Sequence, residues 1–199
     1  MNFLTVRDTL KIMDAETLVS QYEKYCEILG KVSSKEAVTR LTEVFGERLV
    51  LAPRGMTKEE GGIEGNLVDF SLKVATSAKS LSKNFGHTKS LVKVSLLHEL
   101  GKLGNVEKGT DLFIPQDSDW HVEKLGQMYK YNDNCEKMNT AHRTLWLLSH
   151  LGFDLTREEW VAINVSQGMH LPENQFYGRS LNPVAAGLLS ARLSVLHGE

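Results

Sequence analysis

The chain has 199 residues, 41% of them hydrophobic and 24% charged, with a formal net charge of −2. That length builds one sizeable core without demanding a second, and the near-neutral balance gives no global pull toward nucleic acid. No apolar run approaches the roughly 20 residues of a membrane-spanning helix, which excludes a helical membrane protein.

In chain order, Met1-Asn2-Phe3-Leu4 carries no signal-peptide pattern. Cys26 and Cys135 lack metal-type spacing and read as free thiols, so a cytoplasmic protein is expected. A first helix is predicted from Thr9 to Leu29, with Leu10, Met13, Leu18, Tyr22 and Tyr25 inward, ending near Gly30. Ser33 with Glu36 forms a capping-box pattern for a second helix, Ser34 to Phe45, stopped at Gly46. Residues 1–50 read as an N-terminal helical segment that packs on the core or supplies an oligomer surface. Pro53, Gly55, Gly61 and Gly62 mark a loop. Ile63, Leu67, Phe70, Val74, Ala78, Leu81 and Phe85 then give the clearest helical stripe in the chain, closed by Gly86.

Thr88 is a candidate N-cap for the next helix, which carries His98-Glu99-Leu100-Gly101-Lys102. From Gly104 to Lys137 the periodicity fails. Two short extended pieces, within 111–115 and 128–133, are compatible with an irregular hairpin. So long an insert suggests a functional lid. Trp120, Tyr129 and Tyr131 in this loop read as anchors or as stacking surfaces for a base. A helix opens at Asn139 or Thr140 and closes at Gly152. Thr156 to Glu159 is a capping box, with Leu155 and Trp160 as a staple, for a helix reaching about Gly168; Trp146 and Trp160 read as core. Asn182-Pro183 starts the last helix. The fold class is all-α: an N-terminal segment 1–50 and a domain 51–199 in one unit, with a long middle loop able to hold a short hairpin.

A carboxylate inside a buried helix demands a partner or a metal, so His98-Glu99 is the point to explain. In order, Gly61-Gly62-Ile63, His98 to Lys102, Ala141-His142-Arg143-Thr144, Thr156 to Glu159 with Ala162-Ile163, and Pro183 with Ala191 resemble the HD-domain metal-dependent phosphohydrolases. The resemblance covers residues 45–199 and is closest to the small HD proteins frequent in phages and prophages, which places the chain in a host cytoplasm if it is phage-encoded. It implies an HD-like helical bundle in which His and Asp side chains gather one or two divalent metals that activate water against phosphorus.

The chain departs from that pattern at most of its metal positions. Asn66 stands where the resemblance implies a first His, His98-Glu99 where it implies His-Asp, Ser166 where it implies a further His, and Arg192 where it implies a closing Asp; His142 is retained. Asn and Ser are weak ligands, and a guanidinium repels a divalent ion but suits a carboxylate. The expectation is therefore no metal cofactor, with Arg192 supplying the charge and Glu99 as its partner. In the alternative, His98, Glu99 and His142 hold manganese, iron or zinc, Asp69 or His170 supplies a replacement ligand, and His98 and Glu99 are catalytic. Lys102 and Arg143 are candidates to meet a phosphate, beside Asn66, Ser166 and Arg192. Each also has a plain reading, as a helix-end lysine or a solvated arginine.

Three functions follow from this set. The first is a catalytically silent HD-like protein that binds a nucleotide-like ligand or a protein partner. The others are an active phosphohydrolase with a rebuilt metal site, and an assembly scaffold. No Gly-rich phosphate loop or nucleophile elbow is present, and no basic-aromatic strip argues for sequence-specific DNA binding.

Overall fold

A computed structural model describes residues 13–198. The predicted helix start at Thr9 and the inward Leu10 lie outside them. The described chain is mostly helical: α1 (Ala15–Val32), α2 (Lys35–Leu51), α3 (Asn66–Phe85), α4 (Thr88–Leu97), α5 (Asp119–Leu125), α6 (Thr140–His150), α7 (Arg157–Val165) and α8 (Pro183–His197). Two 3₁₀ segments, Leu100–Leu103 and Pro172–Arg179, and two strands, β1 (Phe113–Pro115) and β2 (Tyr129–Tyr131), complete it.

Most helix starts follow from local chemistry. Asp14, Ser34, Asn139, Thr156 and Asn182 each place a side-chain oxygen on a first-turn N–H, satisfying donors that the helix itself leaves open. Thr156 and Glu159 form the reciprocal capping box. Ser34 rather than Ser33 caps α2, and His87 rather than Thr88 precedes α4. The predicted stops at Gly30 and Gly46 do not occur, because both glycines stay helical and the apolar face runs on through Leu29, Phe45 and Leu49, all fully buried. A glycine ends a helix where it turns left-handed, as Gly86 does with φ 67°.

The core runs from Tyr25, Leu29, Leu41 and Phe45 through Val74 and Ala78 of α3, Leu91, Leu96 and Leu97 of α4, and Leu147, Ile163 and Leu188 of α6, α7 and α8. The α3 helix packs along both α4 and α8. Tyr25 donates its hydroxyl to the Leu96 carbonyl at 2.8 Å, tying α1 to the end of α4 just before His98. The core placement of Trp146 and Trp160 is not observed: they are 44% and 43% exposed. Their helices bury Thr144, Leu147 and Leu148, and Ala162 and Ile163, and the tryptophans fall off those faces.

The middle loop holds an antiparallel pair, Phe113 opposite Tyr131 and Pro115 opposite Tyr129, with α5 between the strands. Two arginines pin it. Arg48 of α2 reaches Asp111 at 2.7 Å and the carbonyls of Leu103 and Asn105 at 2.6 and 2.9 Å. Arg143 of α6 holds Asn105, the Glu136 carbonyl and the Cys135 sulfur. Both cysteines are free. Among the described residues, no helix is long and apolar enough to cross a membrane.

Candidate functional site

The α4 helix ends at Leu97, so His98 and Glu99 lie at its C-terminus, where the chain tightens into the 3₁₀ turn Leu100–Leu103. Gly101 makes that turn possible. A Cβ there would lie 2.3 Å from the Thr140 carbonyl of α6, while the Gly101 N–H donates to Thr144 Oγ1 at 2.9 Å. The clamp onto α6 turns Lys102 back toward Glu99.

Glu99 is fully buried and each of its oxygens has a cation. Lys102 Nζ donates to Oε2 at 2.9 Å, and Arg192 Nη2, reaching in from α8, donates to Oε1 at 3.2 Å. Burial alone would raise the Glu99 pKa, but the charges of Lys102, His98 and Arg192 overcome it and hold the carboxyl at about 2. Burial also dominates at the neighbouring His98, pushing it down to about 4 against the pull of Glu99. Its Nδ1 lies 2.9 Å from the Ser95 carbonyl, which only accepts, so the proton sits on Nδ1 and Nε2 carries the lone pair. That Nε2 is 4.0 Å from Glu99 Oε1 and has no hydrogen-bond partner among the described residues.

A third cation, Arg54, comes from the loop after α2. Its guanidinium lies over the Phe70 ring, 4.3 Å from the centroid, and Phe70 in turn neighbours the His98 ring at 6.1 Å. Burial and the charge of Arg192 lower the Arg54 pKa while Glu99 and Glu60 raise it, so Arg54 shares one field with the Glu99 centre. Gly61 has φ 84°, and a Cβ on it would fall 2.1 Å from Asn66 Oδ1 and 3.1 Å from Arg54 Nε. The glycine gives both side chains their place. Sequence reasoning missed Arg54; the basic residue just before Gly55 in the loop leading to Gly61-Gly62 was the available signal.

The other predicted residues divide clearly. Asn66 lines the cleft beside Arg54. Arg143 is fully buried as the loop anchor, which overturns the solvated reading. His142, one residue earlier, is exposed, so it does not join His98. Ser166 is buried at the end of α7, with Gln167 donating to its hydroxyl at 3.4 Å. Asp69 is engaged by Lys73 at 2.8 Å and Gln21 at 3.1 Å, and His170 is exposed.

Manganese, iron or zinc does not fit this donor set. The Glu99 oxygens are taken by an ammonium and a guanidinium, His98 Nε2 is the one free imidazole nitrogen beside them, and a divalent ion there would face three cations. Among the described residues, no three His, Cys, Asp or Glu side chains gather in a metal-holding group. No family model, curated protein or solved structure matches the chain.

Proposed function

We propose that the chain is an HD-like helical domain whose metal centre has become an internal ion-pair centre, and that it binds a nucleotide-like phosphate ligand without hydrolysing it. The observation that carries this reading is the occupation of both Glu99 oxygens, by Lys102 at 2.9 Å and Arg192 at 3.2 Å. A carboxylate held in this way already has a cation at each oxygen, so a divalent ion placed there meets two positive charges, and the lowered pKa makes the group a weak base toward an attacking water. The guanidinium completes the charge balance from within, and the surrounding cations keep the attraction for phosphate that a metal would otherwise supply.

The test pairs activity with binding. The purified chain with manganese or cobalt is expected to turn over a nucleotide panel no faster than His98→Ala, while nucleoside monophosphates raise its melting temperature. Arg192→Asp is expected to lose stability and to regain it on adding manganese or zinc, because two buried carboxylates and an imidazole then need a cation. Hydrolysis by the wild-type chain that stops on chelation would overturn the reading in favour of an active phosphohydrolase. No stabilisation by any nucleotide would favour an assembly scaffold.

A further inference from the structure

Among the described residues, the Glu99 centre holds more positive charge than it balances. Arg54, Lys102 and Arg192 act on one another and on the single buried carboxylate, Glu99, and His98 carries its proton on one nitrogen only. Uncompensated buried charge is costly, and proteins keep it where a ligand supplies the counter-charge. The exposed Glu60 also acts on Arg54, but neither it nor Asp69 is hydrogen-bonded to the guanidinium. Glu60 accepts from the N–H groups of Met56 and Thr57 at 3.2 and 3.3 Å, and Asp69 is paired with Lys73.

Two nitrogens make the excess directional. Arg54 Nε and Arg192 Nε are both buried and donate to nothing among the described residues. Arg192 spends Nη2 on Glu99; the Arg54 guanidinium lies over the Phe70 ring, 4.3 Å from its centroid. A guanidinium placed over a ring with an unpartnered Nε–H keeps that donor free for an oxyanion, and arginine takes phosphate through such N–H groups. Arg54 also borders a cleft of about 440 Å³ between the loop holding Gly61 and the end of α8, which Lys58, Asn66 and Lys73 and the carboxylates Glu59 and Asp69 also line. That volume is within the range of small-molecule sites.

We infer that Arg54 and Arg192 form a seat for a tetrahedral oxyanion, a phosphate group that enters through the cleft at Asn66 and serves as the counter-ion of the Glu99 centre. The inference deepens the reading above by naming the residues and the chemical group. In that seat the unpaired Nε–H groups of Arg54 and Arg192 are the donors, and Asn66, which lines the cleft with Arg54, offers its amide.

The probe is inorganic phosphate, titrated into the full chain at constant ionic strength with chloride as the reference, followed by melting temperature and calorimetry. Phosphate is expected to stabilise saturably. Arg54→Met, which keeps an apolar stem on Phe70, should abolish that gain and melt in chloride no lower than wild type, since it removes a buried repulsion. Arg54→Lys should bind at least about tenfold more weakly, because the fork is lost. Asn66→Asp, which puts a carboxylate beside Arg54, should also suppress binding and keeps the test open if Arg54→Met does not fold. Equal phosphate responses in wild type and the variants would overturn the seat. So would a nucleoside monophosphate that binds independently of Arg54, though the nucleotide reading would then stand. Conversely, Arg54-dependent phosphate binding to which nucleosides add nothing keeps the seat and overturns the nucleotide reading.

Discussion

Two ionic clusters are buried among the described residues, and they are built on opposite plans. Lys93 of α4 meets Glu159 of α7 at 2.8 Å and also donates to the Asp154 carbonyl. Glu159 in turn accepts from the Thr156 N–H at 3.0 Å in the α7 capping box. One cation faces one carboxylate, and neither leaves a buried atom without a partner among the described residues. Around Glu99, by contrast, three cations share one carboxylate, and His98 Nε2, Arg54 Nε and Arg192 Nε have no partner there. The first cluster is closed and does structural work at the junction of two helices. The second is left with unpaired buried donors and acceptors among the described residues, which is the observation on which the proposed phosphate seat rests.

The largest expected difference between them comes from removing the acid. Glu99→Gln leaves three cations facing one another and should cost about 3–5 kcal/mol in denaturant unfolding, the range for breaking a buried pair. Adding Arg54→Met should recover part of that loss, because the second change removes one of the stranded charges. In the closed cluster, Glu159→Gln alone should destabilise, whereas Lys93→Met with Glu159→Met should return much of the loss, since no excess charge remains. If Arg54→Met has no effect on the Glu99→Gln background, the two residues do not share a field and the contrast fails.

Acid should act on the open cluster next. His98 falls from an ordinary value of 6.5 to about 4 in the folded chain, so the unfolded chain binds its proton first. The stability held by neutral His98 is present above pH 6.5 and is lost as the pH falls through 4. Glu99 falls from 4.5 to about 2, so its contribution is present above 4.5 and is lost on the way to 2. Each step is worth on the order of 3 kcal/mol. Melting temperatures measured between pH 7 and 3 should drop in that order, and His98→Gln should flatten the upper limb. A stability that holds constant from pH 7 to 4 would contradict the neutral, buried imidazole.

The helix starts at Asn139, Thr156 and Asn182 were legible in the sequence because a cap depends on residues within one turn, whereas the α2 cap was read one residue early, at Ser33 instead of Ser34. The hairpin was legible from its two apolar-aromatic pieces. The pairing of Arg192 with Glu99, 93 positions apart, was expected because the family resemblance assigned both to one site, where an acid and a base have little choice of partner. What escaped was rotation and path. His142 and Arg143 differ by about 100° around α6, and the sequence did not say which faces in; the structure buries Arg143. Arg54 escaped because a loop residue's neighbours are set by tertiary path and not by period.

Gly101 ranks below the charged residues, and its effect is steric. Gly101→Ala would place a methyl 2.3 Å from the Thr140 carbonyl and 2.8 Å from the Thr144 nitrogen. The 3₁₀ turn must then lift from α6, at about 1–3 kcal/mol, and Lys102 moves with it. Phosphate binding should fall together with stability in this variant, whereas a change in the closed cluster should lower stability alone.

The smallest effect is expected where the sequence suggested a large one. Trp146 is 44% exposed and stacks on His150, the ring centroids 5.4 Å apart. The next residues, Leu147 and Leu148, are fully buried. Trp146→Ser removes a partly solvated ring from the outer side of α6 and opens no cavity, so it should cost about 1 kcal/mol or less. Leu147→Ala removes packed core atoms and should cost about 2–5 kcal/mol. Equilibrium unfolding of the two variants reads the orientation of α6 directly. A tryptophan loss as large as the leucine loss would mean that α6 is turned by one residue, which would carry Arg143 away from Asn105 and Cys135 and release the loop it holds.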